Sequence, residues 1–252
     1  VLDRAGGAGF FNLDSAGPLP NLRFSDIHAQ NVGRVIATRS GTSIDGLRIE
    51  RCSVLGAIRG FARFRSLAHA EFSDLDLDAD FVDGGGGAVC QLISVEAGHA
   101  LVFTNVRLAR AVNALFAEER GSSYIQGDGL VLEEETRRVR IRNCHAEDMG
   151  DGGFDLKSQN VHMTDCTATR CKLGIRIWSH HPENLIERCV VTNPITRPEN
   201  DGSCLWLAGT LTARDCELHA DDDMSPIRFG SGNDDGREAE LNIEGGAISF
   251  DA

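Results

Sequence analysis

Residues 139–168 read VRIRNCHAEDMGDGGFDLKSQNVHMTDCTA and begin and end with copies of one eight-residue pattern. Seven further copies lie at 22–29, 47–54, 70–77, 101–108, 184–191, 211–218 and 241–248. Positions one, three, six and eight are apolar apart from Asn184 and Gly246, so the alternation slips by one residue at position five. A strand with one buried face that slips in this way turns a corner. We therefore predict nine corners, at Asp26, Arg51, Asp74, Asn105, Asn143, Asp165, Arg188, Asp215 and Gly245.

A second, weaker strand follows most corners, and one copy precedes the first. Its pattern alternates apolar with any residue and ends in a small one, at 11–15, 36–40, 62–66, 90–94, 154–158, 175–179, 205–209 and 227–231. Between Asn105 and Asn143 both ALFAEE (114–119) and DGLVLEE (128–134) fit this strand, so that step holds either an insertion or an extra rung. No helical periodicity intervenes, which indicates a solenoid of strands.

A rung of two or three short strands cannot bury its inner face alone, but rungs stacked about 4.8 Å apart enclose a continuous core. The repeat resembles the right-handed parallel β-helix of the pectate-lyase-like superfamily. The resemblance implies an all-β solenoid of about nine or ten rungs, with residues 1–252 as a single domain. It also favours a secreted or periplasmic location, although the sequence itself does not fix the compartment.

The charge and the cysteines limit the classes of function. Lys and Arg total 25 against 38 Asp and Glu, and this net charge of -13 argues against a nucleic-acid partner or an anionic membrane. No apolar run approaches the roughly 18 residues that span a bilayer. Five cysteines share position six of the pattern, so we predict buried, reduced thiols rather than a zinc site or disulfides: Cys52, Cys144, Cys166, Cys189 and Cys216.

The second and fourth residues of the second strand point outward, and stacking makes two columns of them. The first column is predicted to hold Asn12, Ala37, Arg63, Gln91, Phe116 or Val131, Asp155, Arg176, Trp206 and Arg228. The second is predicted to hold Asp14, Arg39, Arg65, Ile93, Glu118 or Glu133, Lys157, Trp178, Ala208 and Gly230. Basic groups beside flat aromatic rings suit a negatively charged sugar polymer. The alternative is an exposed ladder in which Asp155 pairs with Arg176, a contact that contributes only about 0 to 1 kcal/mol.

The densest chemistry lies in GDGGFDLKS (150–158) and LGIRIWSHH (173–181), where we expect Asp151 to join the outward residues. These segments are similar to the acidic and R-I-K segments of polygalacturonase-type β-helix glycosidases, with a single Asp155 and with Trp178 in place of the lysine. The predicted catalytic residues are Asp155, Lys157, Arg176 and Glu133, and the predicted substrate-binding residues are Trp178, Trp206, Arg63, His180 and Arg228.

Two reaction schemes fit these residues. Inverting hydrolysis needs two carboxyl groups about 6.5 to 9.5 Å apart, and rung spacing places the Cβ atoms of Glu133 and Asp155 roughly 8 Å apart. Elimination on a uronate instead needs a base, such as Lys157, Arg176 or His180, and a cation that neutralises the sugar carboxylate.

The sequence thus predicts a carbohydrate-active protein, a lyase or glycoside hydrolase of an acidic polysaccharide. The alternative is a non-catalytic glycan-binding, adhesin or tailspike-like module. No cofactor or metal-ligand set is predicted, although the acidic run SDLDLDAD (73–80) makes calcium a candidate. Strand-like sequence begins at Phe10 and the chain stops just after the last octet, so we also predict uncapped ends and a homo-oligomer.

Overall fold

The structure is a computed structural model that describes residues 10–85, 87–119, 121–197, 201–221, 224–231 and 237–250. These residues form strands and one short helix, which are, in chain order, β1 (Phe11–Leu13), β2 (Leu19–Pro20), β3 (Arg23–Ser25), β4 (His28–Val32), β5 (Ile36–Thr38), β6 (Ser43–Asp45), β7 (Arg48–Glu50), β8 (Ser53–Ala57), β9 (Ala62–Asp78), β10 (Gln91–Ala109), α1 (Ala114–Glu119), β11 (Asp128–Arg142), β12 (His145–Glu147), β13 (Gly152–Leu156), β14 (Gln159–Thr164), β15 (Thr167–Thr169), β16 (Leu173–Ile177), β17 (Leu185–Glu187), β18 (Val190–Thr192), β19 (Ser203–Leu207), β20 (Thr210–Arg214), β21 (Glu217–Ala220), β22 (Ile227–Phe229), β23 (Glu240–Glu244) and β24 (Ala247–Phe250).

The strands stack in parallel as three long sheets, and each of these receives one strand segment from every rung. A shorter fourth column joins β2, β6 and residues 66–68, 97–99 and 135–137 of β9 to β11. The face sheet contains β1, β5, the first parts of β9, β10 and β11, then β13, β16, β19 and β22. The template sheet contains β3, β7, the later parts of β9 to β11, then β14, β17, β20 and β23. The third sheet contains β4, β8, the ends of β9 and β10, then β12, β15, β18, β21 and β24. The predicted all-β parallel β-helix of about nine rungs is therefore confirmed.

All nine predicted corners adopt the left-handed backbone conformation, with φ between 48° and 73°. The two arginine corners have a physical explanation, because each guanidinium reaches back one rung to an aspartate corner. Arg51 makes a two-pronged contact with Asp26, with both distances 2.8 Å, and Arg188 does the same with Asp165 at 2.7 and 3.0 Å. The stacked corners thus form a ladder of side chains along one edge of the rod.

Most rungs also turn at corner positions that the octet pattern does not mark. Left-handed residues precede the template sheet in six rungs, at Asn21, Gly46, His69, Ala100, Arg138 and Asn160. A further column follows the third sheet, at Asn31, Gly56, Asp80, Arg110, Asp148, Arg170 and Asn193. Three corners give the first six rungs a three-sided outline.

The core runs through the stack, and its apolar side chains come from all three sheets. Phe72 and Phe103 stack on neighbouring rungs with ring centroids 4.6 Å apart. The five cysteines at position six are buried and free, as predicted, and so are Cys90, Cys171 and Cys204. They act as small apolar groups in this core.

The structure resolves the part of the register that the sequence left open and corrects another part. ALFAEE forms helix α1, whereas DGLVLEE supplies the face strand of its rung. The 38-residue step therefore holds an insertion, and the outward columns contain Val131 and Glu133 rather than Phe116 and Glu118. In β10 the residue stacked between Arg63 and Val131 is Ser94, not Gln91, and Ile93 is buried.

The last described rung leaves several apolar side chains exposed. Ile243, Ile248 and Phe250 are each about half exposed, and a cleft of about 260 Å³ beside the first two is lined by core residues such as Cys216. The predicted homo-oligomer stays a prediction. Among the described residues, no helix is long and apolar enough to cross a membrane.

Candidate functional site

The face sheet brings the predicted site residues into one register. Val131, Asp155, Arg176, Trp206 and Arg228 are direct partners on successive rungs. Neighbouring rungs are about 4.8 Å apart, so side chains in this column contact one another. The register therefore brings Asp155, Arg176, Trp206 and Arg228 into one column, as the sequence predicted.

Asp155 is the centre of this group, and it is buried rather than solvated as an exposed ladder would require. The residue is only 5% exposed. The indole N–H of Trp178 donates a hydrogen bond to Oδ1 of Asp155 at 2.7 Å. The ammonium of Lys157 lies 3.2 Å from Oδ2, and Nε of Arg176 lies 3.7 Å from Oδ1. The carboxylate thus holds an aromatic ring and two cations around itself.

Lys157 joins the two carboxylates that the sequence offered as a hydrolytic pair. Its Nζ donates to Oε2 of Glu133 at 2.9 Å while contacting Asp155. Burial alone would lower the pKa of Lys157, but the nearby Asp155 and the bond to Glu133 outweigh it and leave the pKa raised. The lysine is therefore a fixed positive charge at neutral pH.

Trp178 and Trp206 form an aromatic platform, and both are partly exposed. Their ring centroids are 4.4 Å apart with an interplanar angle of 49°. The Arg176 guanidinium lies 4.9 Å from the Trp178 ring and 5.3 Å from the Trp206 ring. Cation–π attraction of this kind fixes the ring orientation.

Behind Arg176 lies a buried charge cluster formed by Tyr124, Asp128, Asp151 and Lys172. The Tyr124 hydroxyl donates to Oδ2 of Asp151 at 2.8 Å, and Arg176 Nη1 lies 3.1 Å from the same oxygen. Lys172 has no exposed surface, and its Nζ lies 3.2 Å from Oδ1 of Asp151. Of these four, the sequence analysis named only Asp151.

Burial sets the ionisation of this cluster. It raises the pKa of Asp128 to about 8, and the neighbouring Asp151 and Asp155 carboxylates add to that effect. Burial also lowers the pKa of Lys172, against the attraction of Asp151. A neutral Asp128 at pH 7 keeps the buried negative charge down to Asp151 and Asp155.

A repeated Gly-Asp-Gly motif is the sequence signal from which Asp128 could have been identified. Residues 127–129 and 150–152 both read GDG at the start of a face strand. The backbone N–H of Gly152 donates to Oδ1 of Asp128 at 2.8 Å. A Cβ atom at Gly152 would lie 3.2 Å from that oxygen and 3.3 Å from Cβ of Asp155, so glycine leaves room for both carboxylates.

A cleft of about 310 Å³ opens beside the platform and contains the accessible polar groups. It is lined by Glu134, Lys157, Gln159, Trp178, Ser179, His180, His181, Pro182 and Arg237. The structure thus places His180 beside Lys157 and Trp178, as the sequence predicted. The volume of the cleft lies at the lower end of the range for ligand pockets.

The other two predicted binding residues lie apart from this cleft. Arg228 stacks beyond Trp206 and donates to the backbone carbonyl of Asp201. Arg63 is three rung steps from Asp155, through Ser94 and Val131, or about 14 Å. There it pairs with Glu96, which the sequence analysis did not place in the columns.

The carboxylates of the acidic run proposed for calcium form ion pairs with arginines that follow in the next rung. Arg107 contacts Asp76 and Asp78, and Arg110 contacts Asp78 and Asp80. Within the part of the chain that the structure describes, no group of three or more His, Cys, Asp or Glu residues is arranged to hold a metal ion.

The fold and this polar face define a parallel β-helix protein with a ligand-sized cleft on one sheet. Residues 92–220 match the family described as the right-handed β-helix region. The chain therefore belongs to the right-handed β-helix family. No curated protein matches the chain. The family match covers the platform and the buried charge cluster, and it specifies the architecture rather than the chemistry.

Proposed function

We propose that this protein binds an acidic polysaccharide along the face sheet and cleaves it by β-elimination. The observation that carries the proposal is the aromatic platform, held beside a fixed lysine charge at the wall of a 310 Å³ cleft. A partly exposed indole stacks on the apolar face of a sugar ring, and the ammonium attracts the carboxylate of a uronate.

Each group has a role in the elimination. A base removes the proton on the carbon next to the sugar carboxylate, and the electron pair forms a carbon–carbon double bond as the glycosidic C–O bond breaks. The leaving oxygen then takes up a proton. Lys157 stays protonated and stabilises the charge that develops on the carboxylate. His180, in the wall of the same cleft, is the proposed base, because imidazole is the commonest proton acceptor near neutral pH.

The hydrolytic scheme has weaker support from the same contacts. It needs one carboxyl group to protonate the leaving oxygen and another to activate water. Lys157 binds both Glu133 and Asp155, and Asp155 is covered by Trp178. Asp155 is therefore better suited to positioning the lysine and the indole than to contacting substrate.

A non-catalytic glycan-binding module is the second candidate. It is favoured by the observation that the charged groups around the platform already have partners within the protein, including Glu133, Lys157 and Arg176. Such a surface binds a polymer without turnover.

A panel of uronate polymers tests these candidates. We expect the absorbance of unsaturated sugar ends to rise with the wild-type protein, and reducing ends to appear in equal number. His180→Ala should abolish both signals while tryptophan fluorescence still reports binding. The control is Arg188→Ala, in an ion pair at a distant corner. Reducing ends without unsaturated ends would support hydrolysis, and quenched fluorescence with neither product would support a binding module.

A further inference from the structure

A second cavity lies at the opposite end of the face sheet and contains a concentration of arginines. It has a volume of about 460 Å³ and is lined by Asn12, Asp14, Arg34, Ala37, Thr38, Arg39, Ser40, Arg63 and Arg65. We call it the arginine cavity. It shares no lining residue with the cleft beside the platform.

The charges of the arginine cavity do not cancel. Arg39 lies 3.2 Å from Asp14, and both Arg63 and Arg65 share the single carboxylate of Glu96. Four guanidinium groups therefore face two carboxylates, an excess of two positive charges. This excess is notable in a chain whose net charge is -13. Arginines concentrated in this way attract an anion that accepts several N–H bonds.

Arg34 is the strongest indication that this cavity suits an anion. The residue is only 8% exposed, and among the described residues no carboxylate forms an ion pair with it. One terminal nitrogen donates to the carbonyl of Arg59 at 2.7 Å, whereas its buried Nε has no hydrogen-bond partner within the described part of the chain. Burial and the nearby Arg63 lower the pKa of Arg34 to about 10. A buried cation without a counter-charge is costly, and an oxyanion would relieve that cost.

The position of the cavity relates it to the platform. Arg63 belongs to the same outward column as Asp155 and Trp206, and it lies about 14 Å before Asp155 along the rod. An extended polymer that lies along the face sheet therefore passes both places. We propose that the arginine cavity is a second subsite, which binds a carboxylate or sulfate group of the same acidic polysaccharide. This inference rests on the proposed function for the identity of the ligand.

Binding at the platform can be followed by tryptophan fluorescence, because Trp178 and Trp206 are the only tryptophans of the sequence and both lie in the platform. Fluorescence quenching then measures occupancy of the platform. Galacturonate oligomers of increasing length should bind wild-type protein with an affinity that rises about tenfold once they reach the arginine cavity. Arg39→Ala and Arg65→Ala, both in the lining of the arginine cavity, should abolish this rise and leave the affinity for the shortest quenching oligomer unchanged. Arg188→Ala, which removes an arginine from a corner ion pair, is the matched control.

Inorganic sulfate at constant ionic strength provides the second arm of the test, with circular dichroism checking that each variant is folded. Calorimetry should show saturable sulfate binding that weakens at least tenfold in Arg65→Ala and not in Arg188→Ala. If the length-dependent rise persists in both cavity variants, the inference is overturned. If no oligomer quenches fluorescence but sulfate binds as expected, the proposed function fails and the cavity remains an oxyanion site for a free ion. Absence of both effects overturns the inference as well.

Discussion

Replacing Lys157 with an uncharged residue should show that its ion pairs with Asp155 and Glu133 contribute unequally to the stability of the fold. Asp155 is 5% exposed and lies 3.2 Å from the ammonium, whereas the side chain of Glu133 is 37% exposed. A charge-assisted contact to a buried carboxylate contributes about 1.5 to 3 kcal/mol, and a partly exposed pair contributes about 0 to 1 kcal/mol. We therefore expect Lys157→Met to destabilise the fold mainly through Asp155, which would be left with Arg176 and the Trp178 indole.

Two double-mutant cycles measure this difference. One combines Lys157→Met with Asp155→Asn, and the other combines it with Glu133→Gln. Urea unfolding is followed by circular dichroism and by tryptophan fluorescence, and coincident transitions check that unfolding is two-state. The first cycle should give a coupling energy of about 1.5 kcal/mol or more, at least about twice that of the second. Equal couplings, or a first coupling below about 0.5 kcal/mol, would refute the assignment of Asp155 as the organising carboxylate.

Three other predictions concern the interior and the last rung. The pKa of Asp128 is raised to about 8 in the folded chain, so folding takes up a proton between pH 4 and pH 8. The free energy of unfolding should therefore fall as pH rises through that window, by up to about 1.4 kcal/mol per pH unit. Asp128→Asn should flatten this profile in unfolding measurements at successive pH values, and an unchanged slope would count against it. All eight thiols should resist a thiol reagent in the native protein and react after denaturation, and rapid native labelling would contradict their burial. The exposed Ile243 and Ile248 predict self-association in light scattering that Ile248→Lys reduces, and a strictly monomeric wild type at high concentration would exclude it.

The repeating octet predicted the architecture because the geometry of a corner restricts which residues can occupy position five. Position five must accept a left-handed backbone, and seven of the nine corners are Asp, Asn or Gly. The other corner columns include His69, Ala100 and Arg138, which carry no such mark. For that reason the octet pattern marked only one of the three columns of corners.

The register error in β10 has a different cause. Leu92, Ile93, Ser94 and Val95 are all buried, so apolar residues fall in both alternation frames. An alternation of period two cannot choose between frames in such a run. Pairing with β9 and β11 decides it, and that information lies in distant residues.

The sequence predicted which residues form the candidate site, but not how deeply they are buried. Alternation correctly placed Asp155, Lys157, Arg176 and Trp178 in neighbouring columns. It could not show that the Trp178 indole covers the Asp155 carboxylate, because that contact depends on how a side chain one rung away is turned. Asp155, which the sequence predicted to point outward, is for this reason buried.

The left-handed corners also indicate where the rod can be made more heat-resistant. Ala100 has φ 56°, a conformation that costs an alanine roughly 1 kcal/mol relative to glycine. Asparagine tolerates it better, because its short side chain can hydrogen-bond to the local backbone. Unlike Arg51 and Arg188, an alanine has no side-chain bond that could offset this strain. Replacement by Asn or Gly at such a corner is an engineering route that leaves the platform, the cleft and the arginine cavity untouched. A solenoid built this way can gain thermal tolerance one rung at a time.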